Sequence, residues 1–353
     1  MTSKRAADES NFYYARDYEL VSSRALLLSS SINDKVRRII VPRKWISGRF
    51  VALFNKPAGD IVCPHFWELK PFKGCPYQCV YCYLQGTFYG DKSAKLKDLD
   101  KMAEDLRKFL SWATDRGLKV LLNAGETTDS LAVPEWTEKF LNKVLPILEK
   151  YKYHKILLLS KAGTKNIQPL LDVPKELRKY LIVSFSVNPP IISEKYEIGT
   201  APPLDRLKAA KILQEEGYTI RVRIDPIIPV EGWRAYYCIL IKVILEDFKL
   251  HPEVITIGSL RGLKKTIKYA TDKSWTKYFE GGERTRWGLK IKRVLRFDMY
   301  RIILEKLKSM NYNGHVALCK ETLEMWKELS KLGLICDPGT YGVWENVKCN
   351  CKL

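Results

Sequence analysis

Gly74-Cys75-Pro76-Tyr77-Gln78-Cys79-Val80-Tyr81-Cys82-Tyr83 places three thiols at C-x3-C-x2-C, with an aromatic directly before the third. Three sulfurs this closely spaced can turn inward on one loop and hold three corners of a cubane iron–sulfur cluster, which leaves the fourth iron open to a small ligand. Zinc is the competing reading, but zinc prefers four donors, paired as C-x2-C twice or completed by His. The one close candidate for a fourth donor is His65, ten residues upstream of Cys75. The loop therefore reads as a redox centre, and the chain around it as its carrier.

Downstream of the loop, helical and extended patterns alternate. Residues 96–116 carry the apolar spacing of an amphipathic helix, 119–124 read as a buried strand, and 136–151 as a second helix. The cycle repeats, with strands at 155–160, 181–187, 219–225 and 253–258 and helices near 175–180, 203–216 and 233–248. A first strand at 66–71, just before the loop, makes six. Such alternation predicts an α/β fold with a parallel sheet and right-handed crossovers. Sites in these folds are built from the loops at one end of the strands. Upstream, 38–41 and 49–54 read as short strands with turns at Pro42 and 57–59, and no chemistry attaches to them.

The loop, with Tyr81 before its last cysteine, resembles the signature of radical S-adenosylmethionine enzymes. The order and spacing of Thr127-Thr128-Asp129, Tyr196-Glu197-Ile198-Gly199-Thr200, Leu204-Asp205-Arg206-Leu207 and Asp225-Pro226-Ile227-Ile228-Pro229-Val230-Glu231-Gly232-Trp233 are similar to the spore photoproduct lyase branch, often described as DNA-repair-photolyase-like. The resemblance spans roughly 66–260. It implies a partial (β/α)6 barrel over 63–260, an N-terminal extension at 1–62, and a region at 261–353 with a basic segment and further cysteines. It also implies a four-iron cluster on Cys75, Cys79 and Cys82, with S-adenosylmethionine chelating the fourth iron and a reductase or other electron donor as partner. Reductive cleavage would give a 5′-deoxyadenosyl radical that abstracts hydrogen from a large or nucleotide-containing substrate.

The same resemblance assigns roles at the strand ends. Tyr81 lies near the adenine, Gly125 and Glu126 of Asn123-Ala124-Gly125-Glu126 receive the methionine amino group, and Lys161 meets its carboxylate. Ser184, Ser186 and Asn188 share one face of their strand, where a barrel lumen would offer them ribose hydroxyls. One departure bears on substrate. Spore photoproduct lyases carry a cysteine just after the second strand that returns a hydrogen atom to the product radical. Residues 123–131 contain none, and Glu126 takes the comparable place. Cys63 and Cys238 are the substitutes, Cys238 within an apolar helical run. Glu126 and Cys63 are accordingly the candidate catalytic residues.

Four more cysteines, Cys319, Cys336, Cys349 and Cys351, are candidate ligands for a second metal site in the C-terminal region. A second iron–sulfur cluster, structural zinc and unligated thiols all remain open. Nine cysteines without a recognisable signal peptide suit a reducing compartment. The most apolar stretch, 235–245, is broken by Lys242 and too short for a bilayer. A cytoplasmic protein with no membrane partner is expected.

Lys and Arg number 60 against 40 Asp and Glu, a net charge of +20, which raises nucleic acid as a partner. Residues 261–296 concentrate the signal, with twelve Lys or Arg against three acids and Tyr269, Trp275, Tyr278, Phe279 and Trp287 interleaved. Cations for phosphates and flat rings for bases make a lesion-binding or single-strand surface. A solvated basic loop with packed aromatics is the alternative. Three functions therefore stand: a radical enzyme repairing or modifying nucleic acid; a radical enzyme on a peptide or small metabolite, with a second cluster for sulfur insertion or substrate ligation; and a non-enzymatic zinc protein that binds nucleic acid.

Overall fold

The alternation read from the sequence becomes one curled sheet in the computed structural model, which describes residues 18–22, 25–32, 35–55 and 59–353. Its strands are β1 (Val51–Phe54), β2 (Phe66–Leu69), β3 (Leu121–Asn123), β4 (Lys155–Ser160), β5 (Leu181–Ser186), β6 (Thr219–Ile227), β7 (Val254–Ser259) and β8 (His315–Leu318). They neighbour one another in chain order. β1 runs antiparallel to β2 and every other pair is parallel. The six expected strands are present, and β1 and β8 add an edge on either side.

Parallel strands covered on both faces need continuous apolar runs, and β5 and β7 are buried along their whole length. The pleat divides their side chains. Leu122, Ile156, Leu158, Leu181 and Val183 join the main core, whereas Leu121, Leu157 and Ile182 form a small separate cluster on the other face. Two residues further along that second face stand Asn123, Leu159 and Ser184. The lumen is thus apolar at its base and turns polar toward the strands' C-terminal ends.

Helices α1 (Leu99–Thr114), α2 (Pro134–Lys150), α3 (Pro203–Glu215), α4 (Trp233–Lys242), α5 (Arg293–Ser309) and α6 (Leu323–Lys331) are the longer ones. α1 shows why the sequence folds this way. Asp98 caps it, accepting from the Lys101 amide at 3.0 Å, and Met102, Leu106, Phe109, Leu110 and Ala113 make its buried stripe. The helix expected near 175–180 is reduced to the single turn Lys175–Arg178, opened by Pro174.

Two further pairings frame the site. Ile61–Val62, just after β1, pairs antiparallel with Glu321–Thr322, just after β8. This ladder stitches the two edges of the open sheet together. Upstream, 18–22, 25–32 and 35–42 form a three-stranded antiparallel sheet, whose third strand holds the expected strand at 38–41. Of the turn expected at 57–59, residues 57 and 58 lie outside the described residues. Among those described, no helix is long and apolar enough to cross a membrane.

Candidate active site

The cysteine loop sits over the C-terminal ends of the strands and is held from several sides. Gly74 starts it at φ +75°, where a Cβ would lie 2.1 Å from the Ser93 carbonyl oxygen. The Cys75 amide donates to Lys92 O at 2.8 Å and the Val80 amide to Tyr196 O at 3.0 Å. Gln78–Cys79 pairs with Glu197–Ile198. From inside, the buried Gln85 amide donates to Val80 O at 2.9 Å, while its oxygen accepts from the Thr271 amide at 3.1 Å. Nothing in the sequence marks Gln85 for this bracing role.

Cys75, Cys79 and Cys82 all line one cavity of about 430 Å³. Burial pushes Cys75 up to about 12, helped by the nearby Asp129, and raises Cys79 and Cys82 as well. Without iron these thiols keep their protons; bound iron would take the protons' place. Among the described residues, no three of His, Cys, Asp and Glu are gathered around a point that would hold a single metal ion.

Beside the loop lies a buried charge network. Glu197 accepts from Tyr81 Oη, from Asn188 Nδ2 at 2.9 Å, from Ser193 Oγ at 3.1 Å and from Arg206 Nη1 at 2.6 Å. Lys161 Nζ stands 3.8 Å from it and donates to Ser186 Oγ at 2.7 Å. Burial alone would raise the Glu197 carboxyl, but Lys161 and Arg206 outweigh it and hold the group at about 2. Tyr81, Lys161, Ser186 and Asn188 are thereby brought to one network. Asn188 is fully buried within it and Ser186 reaches the cavity wall. Ser184 is buried with its hydroxyl unpartnered.

At the end of β3, Asn123 Oδ1 accepts from the Gly125 amide at 2.9 Å. A Cβ on Gly125 would lie 2.5 Å from Leu159 Cβ, so only glycine fits there. Glu126 Oε1 accepts from Lys320 Nζ at 3.3 Å. Lys320 Nζ lies against the rings of Phe54 and Trp287, 4.8 and 5.1 Å from their centroids. Asp129 accepts from Ser160 Oγ and the Lys161 amide, both at 2.7 Å. Asp225, at the end of β6, accepts from Arg223 and from Arg261 at 2.6 Å. Burial would raise its carboxyl, yet Arg261 and Arg223 hold it well below the usual range.

The C-terminal cysteines divide. Cys319, Cys349 and Cys351 line the same cavity as the loop thiols, and so does Cys63. Cys336 does not: it is exposed, with its sulfur on the Asn346 carbonyl at 3.5 Å. A type-based grouping could not separate it from the other three, because Asp337-Pro338-Gly339 turns the chain away after it. Cys238, within α4, lies away from the cavity lining as well.

The basic segment also divides. Trp275 is fully buried and Phe279 nearly so, so these rings are core and not a base-stacking platform. Arg296 and Lys290 are buried and paired with Glu321, which leaves them unable to meet phosphates. Lys264, Lys265, Lys268, Lys273 and Lys277 remain exposed, and Trp287 faces the cavity. The segment thus keeps surface cations but loses two of its five aromatic rings to packing.

Comparison with known proteins follows these same pieces. A family model described as spore photoproduct lyase matches residues 67–289. A spore photoproduct lyase of Clostridium acetobutylicum is 25% identical over 193 residues, 54% of this chain and 56% of that protein. One from a Geobacillus species is 23% identical over 223 residues, 61% and 63% of the respective lengths. The chain therefore spans between about half and two-thirds of the curated relatives it matches. A solved mutant spore photoproduct lyase with bound AdoMet and dinucleoside spore photoproduct aligns with TM-score 0.59 at 19% identity, over 71% of this chain and 75% of that one. Another, complexed with dinucleoside spore photoproduct, gives 0.58 at 20% over the same shares. At such identity the structures speak for a common fold.

Proposed function

The chain belongs to the spore photoproduct lyase family, and from that premise we propose that it is a radical S-adenosylmethionine enzyme acting on a nucleotide-containing substrate. What supports this most is one observation: the three loop thiols, Gly125, Glu126, Lys161 and Ser186 line a single cavity at the C-terminal ends of parallel strands. Cys75, Cys79 and Cys82 would hold a four-iron cluster, which when bound would supply the electron for reductive cleavage of the sulfonium.

The chain's own residues then bind and orient. Gly125 lets the backbone approach closely, and Glu126 offers a carboxylate to the methionine ammonium. Lys161 Nζ, carried between Ser186 and Glu197, offers a cation to the methionine carboxylate. Tyr81, tied to Glu197, borders the adenine, and Ser186 borders the ribose. The fold's apolar lumen base and the loop above it exclude water from the centre. Ser184 and Asn188 act from behind this surface, Asn188 by positioning Glu197.

The substrate is taken as nucleic acid because dinucleoside lesions bind to the solved relatives and because exposed Lys264, Lys265 and Lys268 lie on the short helix that follows Leu263 of the cavity wall. Residues 123–131 carry no thiol, so the reaction is repair or modification without the usual donor at that place; Cys63 is the donor candidate on the cavity wall. A second reading, a radical enzyme on a peptide or small metabolite with an auxiliary cluster, draws support from Cys319, Cys349 and Cys351 lining the same cavity. The test is anaerobic incubation with S-adenosylmethionine and a strong reductant, following 5′-deoxyadenosine with and without oligonucleotides. Cleavage that Cys79→Ala abolishes and oligonucleotide accelerates is expected. Cleavage indifferent to oligonucleotide would favour the second reading, and no cleavage by an iron-loaded protein would overturn both.

A further inference from the structure

We propose that Cys63, Cys319, Cys349 and Cys351 form a second site that takes an iron–sulfur cluster with all four corners held by protein thiolates. This deepens the auxiliary-cluster reading above by fixing its ligands; it replaces Cys336 with Cys63, which as a metal-bound thiolate would no longer serve as the hydrogen donor.

The fold assembles these four sulfurs from three distant segments. Val62 pairs with Glu321 in the antiparallel ladder that joins the sheet edges, so Cys63 and Cys319 leave that ladder at the same end. The tail is pinned separately. Arg221 Nη1, inside the lumen, donates to the Asn350 and Lys352 carbonyls at 2.8 Å each, and the Asn350 amide donates to Thr256 Oγ1 at 3.0 Å. This anchoring puts Cys349 and Cys351 on the wall that Cys63 and Cys319 share.

Three observations point to a ligand there. Arg223 Nη2 donates to the Cys319 sulfur at 3.5 Å, and Asn123 Nδ2 to the Cys351 sulfur at 3.4 Å. Such outer donors orient and stabilise metal-bound thiolates. Asn350, only 1% exposed on the cavity wall, has both side-chain amide atoms without a partner. Finally, Arg223, Arg261 and Lys320 line the cavity beside the thiols, where they offset the negative charge that four thiolates bring.

Iron–sulfur fits better than zinc. Zinc draws four sulfurs to about 2.3 Å from one centre, and no such gathering exists among the described residues. A cubane spans more space and tolerates wider spacing. With four thiolates, no iron is left open. The second cluster would hold electrons or brace the tail, in contrast to the loop site with its free corner.

The whole chain is purified without oxygen, reconstituted with iron and sulfide, and assayed for iron, sulfide and zinc, with thermal melts to establish folding. About eight irons are expected in the natural sequence, about four in Cys75→Ala/Cys79→Ala/Cys82→Ala, about four in Cys63→Ala/Cys319→Ala/Cys349→Ala/Cys351→Ala, and about eight in Cys336→Ala. Within the loop triple variant, added Cys63→Ala leaves three ligands, so mild oxidation should yield the electron-paramagnetic signal of a three-iron cluster; added Cys336→Ala should not. That comparison carries the test even where the fourfold variant fails to fold. About four irons that vanish with the loop thiols would overturn this proposal and leave the radical reading intact. About four that survive loss of the loop thiols would overturn the radical reading and uphold the second site. Zinc in place of iron, or equal sensitivity to Cys336→Ala, would overturn the proposed ligand set.

Discussion

Tyr81, the aromatic inside the cysteine loop, donates its hydroxyl hydrogen to Glu197, a carboxylate 116 residues further on. The contact makes the loop's geometry depend on a buried ion pair, because Glu197 is itself gripped by Arg206, and both side chains are fully buried. The cysteines are therefore positioned from the protein interior and not by the loop alone.

Replacing Glu197 with Ala strands Arg206 without its partner and should cost about 3–5 kcal/mol. Tyr81→Phe removes one charge-assisted hydrogen bond and should cost about 2 kcal/mol. Urea unfolding measures both. Equal, small effects would show that the network does not bear on stability.

Acid should act in two windows. His154 is buried, with Nδ1 accepting from the Val120 amide and Nε2 near Thr114 Oγ1 at 3.0 Å. Burial lowers it from 6.5 to about 4, so the unfolded chain takes the proton first. Stability is complete above pH 6.5 and declines as pH falls toward 4. Glu197, lowered from 4.5 to about 2, stabilises fully above pH 4.5 and loses that contribution as pH falls toward 2. His154→Gln should flatten the upper window only, as read from urea midpoints across pH 7 to 3.

Gly125→Ala forces a methyl into Leu159 and should cost about 1–3 kcal/mol by overpacking. It should also weaken S-adenosylmethionine binding at least tenfold in equilibrium dialysis of reconstituted protein. Unchanged binding would remove Gly125 from the cofactor surface.

Charge reversal at Lys264, Lys268 and Lys273, all exposed, should weaken single-stranded oligonucleotide binding and reduce the salt slope by about 0.7 per lost phosphate contact. Trp275→Ala should instead cost about 3–5 kcal/mol of stability with the slope unchanged. A steeper loss of binding from Trp275→Ala in folded protein would restore the stacking-platform reading.

What could be read from the sequence was whatever repeats with a period. β4 is bounded at Lys155–Ser160 as its apolar run suggests, since the continuous run Ile156 to Leu159 stands between two polar residues. The cysteine spacing likewise carries its chemistry in intervals of four and three residues. The remainder depends on partners far along the chain. His315–Leu318 is too short and too mixed to announce β8, and two-residue ladders such as Ile61–Val62 with Glu321–Thr322 have no periodicity at all. Composition misjudged Trp275, Lys290 and Arg296 because it counts cations and rings without regard to burial. Glu321, whose carboxylate takes up both Lys290 and Arg296, lies outside the window where they were counted.

The ladder between Ile61–Val62 and Glu321–Thr322 has a temporal meaning too. It joins segments about 260 residues apart, and contacts of such separation are slow to form because the intervening loop must first be ordered. Until it forms, the sheet is an open trough with the loop thiols on one side and no facing wall. The ladder is thus what turns the trough into a chamber, and the wall that carries Cys63 and Cys319 exists only once it is made.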